Sequence, residues 1–128
     1  MHTPKIPEPM IEPLVIDRSN SYPMREVLVL SGPLTAGNSA IFQNAMRREE
    51  PAETLILDLS EVPYVDSAGL GLLVTAYVTR QKSGRKMVLS GINPRVQKLF
   101  DITRVASLFL TFSSPEEAIA ALNSAAQA

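Results

Sequence analysis

The chain has no cysteine, no tryptophan and a single histidine, His2, among its 128 residues. Without cysteine there are no disulfides, thiolate metal sites or cysteine nucleophiles, which suits a reducing compartment. With His2 inside a proline-rich start, a Ser-His-Asp catalytic set has no base. The G-x-S-x-G nucleophile elbow is missing as well. Charge of one sign is also lacking: 12 Lys and Arg face 13 Asp and Glu, for a net charge of −1. Neither nucleic acid nor an anionic membrane is therefore expected as a partner. No apolar run reaches the ~18 residues of a membrane span. The first residues lack the layout of a secretory signal, so a cytoplasmic location is expected. No spacing of His, Asp and Glu suggests a metal. There is no Walker lysine, and Gly69-Leu70-Gly71 lacks the third glycine of a dinucleotide fingerprint. No cofactor and no enzymatic activity are expected.

What is present reads as one small α/β domain. Pro4, Pro7, Pro9 and Pro13 exclude regular structure from residues 1–13, which are expected to form a flexible tail before a domain over 14–128. Leu14 to Asp17 reads as a strand, Arg18 to Pro23 as a turn, and Arg25 to Leu30 as the strand's hairpin partner. A helix over Ala36 to Glu49 places Ile41, Phe42, Ala45 and Met46 on one face, and Pro51 stops it. Leu55 to Leu59 is continuously apolar except for Asp58, the pattern of a strand covered on both faces. A helix over Ser67 to Lys82 carries Leu70, Leu73, Val74, Tyr77 and Val78 as its stripe, and Gly84 follows as a C-cap. Lys86 to Ser90 is the next strand, and Asn93-Pro94 opens a helix to Phe100. Ala106 to Leu110 reads as a short last strand, and Ser114-Pro115-Glu116-Glu117 opens a helix to Leu122. The order β-β-α-β-α-β-α-β-α implies a mixed, mostly parallel sheet of four to five strands with four helices.

Asp58 could be the phosphoacceptor of a receiver domain. However, no acidic pair ends either early strand to hold magnesium, so it reads as a strand-end carboxylate bonded to nearby backbone. Ser67 stands at a helix start, where either it or Asp66 can be the cap. A hydroxyl there can also accept a phosphoryl group, because a helix N-terminus favours added negative charge. Ala68, Gly69 and Gly71 add no bulk beside it, which fits tight packing of the helix start against the loop after Leu34.

The run Leu57-Asp58-Leu59-Ser60-x-Val62-x-Tyr64-Val65-Asp66-Ser67-Ala68-Gly69-Leu70-Gly71 resembles the signature of STAS domains, in particular the bacterial anti-sigma factor antagonists. Gly32-Pro33-Leu34 is similar to the family's strand-end G-x-L turn, and Pro94-Arg95-Val96 through Thr103 to its third helix. All but the proline-rich tail is covered. The resemblance implies that Ser67 is phosphorylated by a partner anti-sigma factor, a serine-protein kinase, and dephosphorylated by a metal-dependent PP2C-type phosphatase. It further implies that the unphosphorylated form binds the anti-sigma factor and so frees a sigma factor. The contact surface is then expected at Asp66, Ser67, Ala68 and Gly69 together with Leu34, Thr35 and Asn38. Thr35 stands where the family often has an acidic residue, and Arg104 where it often has glycine. The rival reading is a scaffold subunit of a stress-signalling or lipid-transport complex.

Overall fold

A computed structural model describes residues 12–22 and 24–127. The expected tail therefore lies outside the described residues except at Glu12 and Pro13. Five strands form one sheet in the order β1-β2-β3-β4-β5. They are β1 (Val15–Tyr22), β2 (Arg25–Ser31), β3 (Thr54–Glu61), β4 (Lys86–Ser90) and β5 (Thr111–Phe112). The first pair is antiparallel and the others are parallel, so the mixed, mostly parallel sheet stands. Four helices alternate with the strands: α1 (Ser39–Arg48), α2 (Ser67–Lys82), α3 (Pro94–Thr103) and α4 (Pro115–Gln127).

The central strand explains the layering. Thr54 to Leu59 are all buried, because helices cover both faces of β3. The larger core joins Leu28, Leu30, Leu57 and Leu89 to Phe42 of α1, Leu73 of α2 and Phe100 of α3. The smaller one joins Val27, Ile56 and Val88 to Ala118 of α4. Alternate residues of each strand thus feed opposite layers.

Several sequence expectations change. Arg18 to Tyr22 continues β1 rather than turning, because a bulge between Arg18 and Asn20 keeps the ladder with β2 in step. The last strand is not Ala106 to Leu110. Residues Ala106–Leu108 form a 3-10 turn, and pairing begins only at Thr111, opposite Leu89. Ile41 is 44% exposed, since α1 turns Phe42 and Ala45 inward. In addition, α4 runs beyond Leu122 to Gln127. Its Ser114 hydroxyl caps the Glu117 amide at 3.1 Å, while the Glu117 carboxylate accepts from the Ser113 hydroxyl. Asp58 Oδ1 accepts from the Ser60 amide at 3.1 Å, the local backbone role read for it.

Candidate functional site

The loops that leave β2, β3 and β4 at their C-terminal ends are stitched into one surface. The Leu34 amide donates to the Tyr64 carbonyl and the Asp66 amide to the Leu34 carbonyl, both at 3.2 Å. These two bonds form an isolated parallel bridge that joins the loop before α1 to the loop before α2. Asn93 caps α3 by accepting from the Val96 amide at 2.8 Å. Its side-chain amide reaches back to the carbonyls of Val62, at 3.1 Å, and Pro63, at 3.2 Å. The Asn38 side-chain amide donates to the Pro33 carbonyl at 2.8 Å and to the Glu12 carbonyl at 3.3 Å. Two glycines make this closeness possible. A Cβ on Gly32 would lie 2.1 Å from the Pro13 oxygen, and φ there is +115°. A Cβ on Gly69 would lie 2.0 Å from the Leu34 oxygen.

Asp66 holds the start of α2. Its Oδ1 accepts from the Gly69 amide at 2.7 Å, which makes Asp66, not Ser67, the N-cap. Its Oδ2 accepts from the Ala36 amide at 3.3 Å and so ties in the neighbouring loop. Ser67 is thereby released from any capping duty. It is the first helical residue, it is exposed, and its hydroxyl has no hydrogen-bond partner among the described residues. The amides of Ser67 and Ala68 belong to the set that a helix start leaves without intrahelical acceptors. An anion on the Ser67 oxygen would meet these donors and the positive end of a 16-residue helix.

Of the residues expected at the contact surface, Ser67 and Ala68 are exposed and Thr35 and Asp66 are half-buried. Leu34 (0%) and Asn38 (4%) are buried, as is Gly69. They shape the surface from beneath, because the bridge and the Asn38 hydrogen bonds draw them inward. Exposed Ala36 and Gly37 belong to the loop that Asp66 ties to the start of α2. The sequence reading also missed Tyr64 and its neighbours. The Tyr64 hydroxyl donates to the Glu12 carboxylate at 2.9 Å, and the Arg95 guanidinium stacks 5.1 Å from the ring centroid. That hydrogen bond, aided by burial and by the charge of Glu12, raises the Tyr64 phenol above its ordinary value. No periodicity could have marked Tyr64, since its partners lie far away in sequence.

At the opposite end of α2, Arg80 is 6% exposed. Its guanidinium donates to the carbonyls of Lys86, at 2.9 Å, Glu49, at 3.2 Å, and Ala52. Burial, and then the nearby Arg85, lowers its pKa. Glu49, itself 2% exposed, is gripped by Arg18 of β1 through the guanidinium Nε at 2.9 Å. Between the two ends, Gly71 faces solvent, and a Cβ there would meet nothing within 4 Å. A mid-helix glycine costs roughly 1 kcal/mol relative to alanine.

Comparison with known proteins agrees with this architecture. The family model described as the STAS domain matches residues 22–118. An anti-sigma-B factor antagonist of Listeria monocytogenes is 30% identical over 83 residues, which are 63% of this chain and 73% of that protein. BtrV of Bordetella bronchiseptica, provisionally named an anti-sigma factor antagonist, is 30% identical over 102 residues, 77% of this chain and 87% of its own. The crystal structure of an anti-sigma factor antagonist from Mycobacterium paratuberculosis superposes with a TM-score of 0.75 at 18% identity, covering 90% of this chain and 97% of that one. This last likeness is one of fold. Among the described residues no helix is long and apolar enough to cross a membrane.

Proposed function

The chain belongs to the STAS domain family, and on that premise we propose that it is an anti-sigma factor antagonist switched by phosphorylation of Ser67. The observation that carries the proposal is the division of labour at the start of α2. Asp66 does the capping, so the Ser67 hydroxyl is exposed and free of structural duty. Unphosphorylated, the surface around Ser67 and the loop Thr35 to Gly37 binds an anti-sigma factor with serine kinase activity and thereby frees a sigma factor. A PP2C-type phosphatase resets the modified form. The protein acts by binding and carries out no chemistry of its own.

The physical basis of the switch is desolvation. A phosphoserine adds about 1.5–2 negative charges near neutral pH. In the free protein these charges sit at a favourable helix end. Under a partner that excludes water, an unpaired phosphate costs several kcal/mol. Each ~1.4 kcal/mol is a tenfold change in affinity, so the switch needs no refolding.

The test is phosphorylation by the cognate anti-sigma factor with ATP, followed by peptide mapping and calorimetric binding. Label is expected on Ser67 alone, with binding lost in the phosphorylated form. Full labelling of Ser67→Ala, or equal affinity of the modified and unmodified forms, would overturn the proposal and favour a scaffold role.

A further inference from the structure

A groove of about 490 Å³ runs between α1 and α2. It begins at Ala68, one residue past Ser67, and extends to Ser83 and Arg85 at the far end of α2. Half-buried Met46 and Leu72 supply apolar walls near its upper end, above the buried Phe42. Arg47, Arg80 and Arg85 line its lower end against the single carboxylate of Glu50, which leaves that end cationic. Arg80 is committed to carbonyls, and Arg47 is bonded to the neutral Asn44 side chain. Arg85 has no ion-pair partner among the described residues.

Gly71 lies in the wall of this groove. The two glycines of the motif differ in what they answer to. Gly69 is required from within, because the Leu34 carbonyl occupies the place of its Cβ. Nothing within the molecule requires Gly71, since the space above it is open. A glycine in a helix interior, where it is the poorest former after proline, gains a use when another backbone approaches closely from outside.

We propose that the groove seats a single amphipathic helix of the anti-sigma factor, its apolar side on the half-buried Met46 and Leu72 and its acidic residues at the Arg47–Arg85 end. This rests on the antagonist function proposed above and extends it to the recognised element. The groove is continuous with the Ser67 surface, so one partner can span both. At 1.5 Å per residue, Ala68 to Ser83 offers roughly 22 Å, the length of about four helical turns. Ala68, Gly71 and Thr75 give the incoming helix a low wall to pack against. The excess of cations calls for a carboxylate-bearing partner.

Gly71→Met fills the groove from a position with free space, so the fold is expected to melt no lower than wild type. Its affinity for the cognate anti-sigma factor, measured by calorimetry, is expected to fall by about tenfold or more. Thr75→Met, one turn further along, is expected to act in the same direction and decides the matter if Gly71→Met folds poorly. Arg85→Glu is expected to weaken binding several-fold and to flatten its salt dependence. Ser67→Glu is measured beside them. If it abolishes binding while both methionine variants bind within about twofold of wild type, the groove assignment falls and the antagonist function stands. If no variant, Ser67→Glu included, alters binding, both fall. A wild-type dimer in sedimentation that Gly71→Met dissolves, with partner affinity unchanged, would assign the groove to a second copy and overturn the proposal.

Discussion

The two ends of α2 solve the same problem in opposite ways. Each must satisfy backbone groups where the helix meets loops. At the C-terminal end, the buried Arg80 spends its guanidinium on the carbonyls of Lys86, Glu49 and Ala52. At the N-terminal end, Asp66 takes the Gly69 and Ala36 amides, while Ser67 and Ala68 remain at the surface. Arg80 at one end is spent on holding the fold. The other is braced from below and open above. A binding surface needs that second condition: backbone fixed by neighbouring loops, with donors and a hydroxyl still unspent.

The contrast is broken most severely at Arg80. Arg80→Ala removes the side-chain donor to the Lys86, Glu49 and Ala52 carbonyls and opens a hole, which is expected to destabilise by about 3–5 kcal/mol. Melting should show a drop beyond about 10 °C. Gly69→Ala tests the brace beneath the open end. Its methyl must displace the Leu34 carbonyl, and overpacking of this kind costs about 1–3 kcal/mol or more. Denaturant unfolding should show the loss, with weaker partner binding as the loops shift. Asp66→Ala removes a cap, with an expected loss of about 1–2 kcal/mol.

At Ser67 the expected stability change is small and the binding change largest. Ser67→Ala should leave melting within about 0.5 kcal/mol of wild type, because the hydroxyl caps nothing. Ser67→Glu should gain roughly 0.3–1 kcal/mol from the helix end. A large destabilisation by Ser67→Ala would show that both ends of α2 are structural after all.

The faintest effect concerns Tyr64. Its raised pKa means that the Glu12 hydrogen bond favours folding below the unfolded phenol's value of about 10. That contribution is lost as pH rises through the higher folded value, where phenolate would face carboxylate. In an ultraviolet titration the latest tyrosine to ionise should vanish in Tyr64→Phe and move to lower pH in Glu12→Gln.

How far the site could be read from sequence depended on the range of the interactions. The helix bounds Ser67 to Lys82 and the proline-capped start of α3 were legible, since caps and periodicity act within one turn. Whether Asp66 or Ser67 was the cap was not, because both types serve equally well. The short β5 was misplaced because its residues are paired by β4, not by their own propensity. Leu34 and Asn38 were read as contacts because they belong to a turn, but that turn is drawn inward by Tyr64, Asp66 and Glu12. Arg104, where the family often has glycine, proved to be the αL cap of α3 at φ +62°. The pattern pointed to a glycine there, and the arginine bears the backbone cost.

By itself the sequence determined the layering of this protein and the position of its hydroxyl. The continuous apolarity of β3, the alternation of strands and helices and the run Asp66 to Gly71 are local patterns, and local patterns follow from short-range sterics and burial. Only the tertiary structure decided that the hydroxyl is free. Its exposure depends on Asp66 turning to the Gly69 and Ala36 amides, and on Leu34 reaching Tyr64 and Asp66 across a gap of some thirty residues. Apart from the local Asp66–Gly69 cap, those bonds join segments that only the packed sheet brings together, so no single stretch of the chain encodes them.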